Sequence, residues 1–161
     1  MQHTMATRGR IGLKLSDGSI LSAYHHYDSY PQWLGVHLDK YFRSDEKASE
    51  LIDGGDMSNC WSNEFWDSRS LMKTTVLPDG REQKTCVRDK DGNVVMDRVK
   101  SEFGPLYYSE RGEDTPPRHD DDLFEFLSNG EEYAYVWEGG CWVCYDLHGE
   151  EPEIVEIPQV L

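Results

Sequence analysis

The sequence predicts an α+β fold: an antiparallel sheet, two or three short helices and a protruding β-hairpin arm, within a single domain spanning residues 1–161. Three observations carry that expectation. Strand-like runs sit in pairs around tight-turn signals at Ser16-Asp17-Gly18-Ser19, Pro78-Asp79-Gly80, Asp91-Gly92 and Glu138-Gly139-Gly140. Between them, two segments carry apolar residues at helical spacing. Aromatic residues make up 12% of the chain, against the aromatic-poor composition of disordered segments. A chain of this length buries about two-thirds of its unfolded surface, so a core forms without disulfide or metal staples.

Taken in order, residues 10–15 and 20–24 form an opening hairpin. The second strand runs into a polar aromatic loop, Tyr24-His25-His26-Tyr27-Asp28-Ser29-Tyr30-Pro31. Trp33, Val36, Leu38, Tyr41 and Phe42 then fall at helical spacing. Ser44 is placed to cap a second helix, with Asp45 and Glu46 in its first turn, Gly54-Gly55 as its stop, and Ala48, Leu51 and Ile52 facing inward. Residues 60–66 are aromatic but irregular. Strands at 73–77, 83–87 and 94–99 belong to an insertion over 70–105, whose Lys- and Arg-rich exposed face projects it from the core. Residues 112–118, with Pro116-Pro117, read as a loop. A short acidic helix follows over 120–129, with Leu123, Phe124 and Leu127 on its buried side. A closing hairpin pairs 132–137 with 142–147. The acidic tail, 148–161, is expected to be loosely ordered, with Ile154, Val155, Ile157 and Val160 as its docking residues.

Charge is segregated along the chain. Formal charge totals −15, and residues 110–161 hold 15 acids against two bases, Arg111 and Arg118, a net of −13. That balance argues against direct nucleic-acid binding, which needs cations along the phosphates. A block of this sign is either a solvated face or a surface that attracts a basic partner. Asp120, Asp121, Asp122 and Glu125 form its densest part and are the candidate partner-binding residues. No apolar stretch approaches a membrane span, and the first ten residues lack the apolar core of a signal peptide, so no membrane association is expected.

Cys60, Cys86, Cys141 and Cys144 are expected as reduced thiols. Cys141 and Cys144 have the spacing of a zinc or redox pair, but on a strand residues three apart face opposite ways. Asp89-Lys90-Asp91-Gly92-Asn93 begins like a calcium loop, yet Val94 and Lys100 stand where that loop needs Gly and Glu. A turn on Asp91-Gly92 accounts for it, and no metal or cofactor is called for.

The chemistry-bearing stretch is the loop after the second strand. Tyr24, His26, Tyr27, Asp28 and Tyr30 gather donors, acceptors and flat rings, and Arg8 and Arg10 enter on the neighbouring strand. Cations beside aromatic rings suit a nucleotide or phosphate ligand, which makes these seven the candidate ligand-binding residues. His26 and Asp28, two apart, share a face in extended chain and would serve as base and orienter. The alternative is that the His and Tyr side chains satisfy one another and the backbone, stapling loop to helix. No nucleophile, metal set or second carboxylate is identifiable by spacing, so catalysis is the weakest reading.

Ala6-Thr7-Arg8-Gly9-Arg10-Ile11-Gly12, the Tyr24–Pro31 loop, Gly35, Tyr41, Gly54-Gly55-Asp56-Met57-Ser58 and Tyr133-Ala134-Tyr135-Val136-Trp137 with Trp142 together resemble a family of small proteins from tailed bacteriophages and prophages. The resemblance covers residues 6–60 and 130–147. His25, Tyr27 and Ser29 stand where the family pattern has Cys, Trp and Gly, and the last change bears on the turn, since Ser avoids positive φ. The resemblance implies viral origin and supplies no reaction. The leading expectation is a phage accessory protein in the host cytoplasm that binds and inhibits a basic or nucleic-acid-binding host protein through its acidic surface. Two others stand beside it: a sponge for a nucleotide immune signal near the His/Tyr loop, and an acidic structural protein with no ligand.

Overall fold

The computed structural model describes residues 6–61, 68–70, 72–98, 105–128 and 130–159. The chain opens with strands β1 (Gly9–Lys14) and β2 (Ile20–His25), paired antiparallel from Gly9 with His25 to Lys14 with Ile20. Pro31–Gly35 forms a π-helical turn, in which the Tyr30 carbonyl accepts from Trp33, Leu34 and Gly35 N–H. It continues into helix α1 (Val36–Tyr41). Helix α2 (Asp45–Asp53) starts as its sequence dictates: the Ser44 hydroxyl accepts from the Lys47 N–H, and Ala48, Leu51 and Ile52 are buried.

Short strands follow: β3 (Met57–Asn59), β4 (Ser68–Ser70), β5 (Met72–Val76), β6 (Glu82–Cys86), β7 (Met96–Arg98) and β8 (Leu106–Tyr107). After a 3-10 turn at Tyr108–Arg111 come β9 (Arg118–Asp120), helix α3 (Leu123–Leu127), and β10 (Tyr133–Glu138), β11 (Cys141–Asp146) and β12 (Glu153–Val155). Stretch 62–66, Val99, Lys100, Asn129 and Val160, all named in the sequence reading, lie outside the described residues.

Eight strands make one sheet in the order β12-β11-β10-β1-β2-β3-β8, with β9 also paired to β2. The fold is α+β as expected, and most neighbouring strands are antiparallel. Two junctions are parallel, β1 with β10 and β2 with β3. They arise because each joins strands separated by a long crossover, which a tight turn cannot make.

Alternation sorts the side chains onto two faces. Ala23, Ile11, Tyr135, Cys144 and Val155 line up in register across one face and pack under α1 and α2 with Leu34, Leu38, Leu51 and Ile52. Both tryptophans of the closing hairpin also turn this way and anchor it: Trp142 Nε1 donates to the Phe42 carbonyl at 3.0 Å, and Trp137 Nε1 to Asp45 Oδ1 at 2.6 Å. On the opposite face, Ile20, Ala134, Val136 and Tyr145 pack against Phe126 of α3. Gly12 is open enough to admit that ring: a Cβ there would sit 3.1 Å from Phe126 Cζ and 2.8 Å from Ile20 Cγ2.

Three expectations change. The helix proposed over 120–129 is only Leu123–Leu127, because Asp120 is claimed by β9. Its buried aromatic is Phe126 rather than Phe124, which is 81% exposed. The tail is not loose throughout: β12 extends the sheet beside β11, and Ile157 packs into the core against Gly35.

The ribbon over 72–86 stands apart from the large sheet, β5 pairing with β6. Its strands are exposed along most of their length, in keeping with a projecting arm.

Candidate functional site

At the end of β2 the loop closes on its own backbone. Ser29 is fully buried; its hydroxyl donates to the His25 carbonyl and lies 3.1 Å from His25 Nδ1, while its amide donates to the Thr7 carbonyl. The Tyr135 hydroxyl, from the far hairpin, donates to the Ser29 carbonyl at 2.7 Å. The positive φ in this loop lies not at Ser29 but one residue earlier, at Asp28 (φ 54°). Asp tolerates that conformation better than most residues, and Ser29 stays in an ordinary one.

This geometry rearranges the candidate residues. The Tyr24 hydroxyl meets His26 Nδ1 at 2.6 Å, so the residue two before His26 orients its ring. The left-handed backbone at Asp28 breaks the alternation from which a shared face was inferred. Burial raises the Tyr24 hydroxyl to about 12, with nearby Tyr108 adding to the shift. Burial first, then the Arg8 charge, lowers the His26 imidazole below its ordinary value. Tyr27 packs edge-on against His26, ring centroids 4.6 Å apart, and is 38% exposed. Tyr30 leaves the group, its ring meeting Trp33 and Tyr133.

Arg10 sits beside Tyr24 in register but is only 6% exposed. Its Nε donates to Ser22 Oγ at 3.0 Å, and its guanidinium lies 3.8 Å from Asp56 and 3.9 Å from Glu131. Desolvation and neighbouring Arg118 lower its pKa, offset by Glu131, Asp56 and Asp120. Burial raises Glu131, opposed by Arg10, Arg118 and Arg8. Asp56 also accepts the Tyr24 N–H at 2.9 Å, tying the β2 end to the turn before β3. The result is an interior network of mixed charge, costly to desolvate and costly to break on one side. Sequence reasoning found Arg8, Arg10, Tyr24 and His26 but not Ser22, Asp56, Arg118 or Glu131. Their signal was available only as isolated polar residues at strand ends and in Gly54-Gly55-Asp56.

The acidic block divides in the structure. Asp120 is 4% exposed and receives Arg118 Nε at 3.1 Å. Glu138 meets Lys14 at 2.7 Å, Glu156 meets Lys90 at 2.6 Å, and Glu132 accepts the Arg8 N–H at 2.8 Å. Asp122 caps α3, its carboxylate accepting the Glu125 N–H at 2.8 Å, and remains exposed. Asp121, Asp122 and Glu125 therefore stay at the surface, as does Phe124 between them in the sequence.

Cys141 is exposed and Cys144 buried on β11, facing opposite ways as the strand spacing requires. Burial pushes the Cys144 thiol up to about 12. In the calcium-like segment, Asp89 Oδ1 accepts the Asp91 and Asn93 N–H groups and Gly92 has φ 85°, so the loop is a self-closed turn. Among the described residues no group of three or more His, Cys, Asp or Glu is placed to hold a metal ion. No helix among them is long and apolar enough to cross a membrane.

One cleft of about 620 Å³ lies between this turn, Pro31-Gln32, Tyr133 and the 154–159 segment. A second, of about 880 Å³, lies between the β1–β2 turn, α2 and the β10–β11 turn. Neither is lined by Arg10, Tyr24 or His26. Compared with protein-family models, curated proteins and solved structures, the chain matches none of them.

Proposed function

We propose that the chain acts by binding, and that its partner is a protein with a basic surface and an apolar pocket for Phe124. The observation that carries this reading is that ring: 81% exposed on α3, in a stretch of chain where Asp121, Asp122 and Glu125 are exposed as well. Aromatic side chains that enter a pocket while surrounding charges exclude wrong partners are a recurrent way to build an interface. The fold does not need the ring there, since Phe126 supplies the core contact of α3. The net −13 of residues 110–161 adds a long-range field that steers basic partners. Taken with the phage resemblance, the reading becomes an accessory protein that occupies and inhibits a basic or nucleic-acid-binding host protein in the host cytoplasm.

The test is affinity capture from the host with the wild-type chain, Phe124→Ser, and the pair Asp121→Asn with Glu125→Gln. The expected result is a basic protein held by the wild type, released by moderate salt, and lost with either variant. Equal capture by all three overturns the proposal. The nucleotide-sponge reading has one observation in its favour, the meeting of Arg8, Tyr24 and His26 beside Arg10. It has less support, because the guanidinium of Arg10 is committed to Ser22 and two carboxylates.

A further inference from the structure

The β5–β6 ribbon raises a physical problem that its own contacts do not solve. A two-stranded hairpin is marginal in water unless a third strand or a packed face supports it. Here Lys73, Thr74, Thr75 and Val76 of β5 and Glu82, Gln83 and Lys84 of β6 are all exposed, with Val76 at 67%. Among the described residues, β5 pairs on one side only.

The hairpin's hydrogen bonding determines which groups that free side offers. Leu77 N–H donates to the Arg81 carbonyl at 2.8 Å and Gly80 N–H to the Leu77 carbonyl, so Leu77 points its polar groups into the hairpin. Antiparallel pairs alternate between bonded and non-bonded, so Thr75 and Lys73 also turn inward. Met72, Thr74 and Val76 then present their N–H and C=O groups outward, a template of three residues for another strand.

We infer that two copies of the chain associate edge to edge through β5, antiparallel about a two-fold axis at Thr74. In that register Thr74 faces the partner's Thr74 as a bonded pair, and the backbone of Met72 lies opposite that of the partner's Val76. Lys73 faces the partner's Thr75, so no like charges are opposed. On the outer edge of β6 a two-fold axis at Lys84 or at Glu82 sets like charges face to face, whereas one at Gln83 sets Glu82 against the partner's Lys84, a pairing that substitutions at Thr74 leave untouched. The self-complementary edge therefore selects a second copy as its occupant. Pairing makes a four-stranded sheet from two marginal ribbons.

Sedimentation velocity over roughly 1–100 μM tests it, using the full chain. The wild type is expected to move from 18.6 kDa to twice that mass within this range. Thr74→Lys places like charges at the axis and is expected to weaken association at least about tenfold, with recovery in high salt. Thr74→Pro removes an outward N–H and no bond within the ribbon, as an edge position permits, and is expected to weaken it comparably. Near-ultraviolet circular dichroism of the buried Trp137–Trp142 pair monitors the main sheet, which neither substitution touches. A wild-type monomer at 100 μM overturns the inference, and so does a dimer that either substitution leaves as tight as before.

Discussion

At Ser29 one hydroxyl bonds to the carbonyl of its own loop and faces the His25 ring, and the same residue's carbonyl takes the Tyr135 hydroxyl from a strand 106 positions away. Ser29→Ala keeps the backbone and removes only the Oγ contacts. It is expected to cost about 1–2 kcal/mol, the usual range for stripping a buried polar group of its partner. Urea denaturation reads the loss as a lower midpoint at unchanged slope, and an unchanged midpoint would show the hydroxyl to be idle. The types of residue in this loop were legible in the sequence; their pairing was not. His26 had Tyr24 and Asp28 equally near in sequence, and neither its bond to Tyr24 nor the left-handed φ at Asp28 is announced by a residue pattern.

The same division holds for whole elements. Both hairpins and α2 were legible because each carries its own punctuation: a glycine turn, a Ser cap, an alternating run. β3, β8 and β9 were not, since strands of two or three residues exist only through partners far along the chain. In α3, five residues are too few to fix a helical phase, and the sequence pattern put Phe124 rather than Phe126 on the buried side. The structure decides through Gly12, whose bare Cα receives the Phe126 ring. Gly12→Ala is expected to push α3 off the sheet and to cost about 1–3 kcal/mol, as overpacking generally does. Thermal unfolding followed by calorimetry checks it, and a variant as stable as the wild type would mean that α3 yields without resistance.

For the molecule as a whole, the ledger of charge was visible in the sequence but its settlement was not. Acids of the last third find bases from earlier in the chain, as Lys14 with Glu138, Arg10 with Glu131 and Lys90 with Glu156 show. The remaining excess, within a formal −15, repels itself over distances that salt controls. Raising ionic strength from about 0.01 M to about 0.15 M shortens the screening length from about 30 Å to about 8 Å. The melting temperature is expected to rise by about 2–4 °C, equivalent to about 1 kcal/mol in a chain of this size. A fall would mean that the cross-chain ion pairs outweigh the self-repulsion. The parallel seam between β1 and β10 has a further consequence, for the order of events at the ribosome. Arg8 and Glu132, bonded across it, are 124 positions apart. At 5–20 residues per second the first strand emerges roughly 6–25 s before its neighbour has been made. During that interval the nascent chain carries an unsatisfied strand edge, so a ribosome that stalls short of Tyr133 releases a molecule primed to pair with the wrong strand.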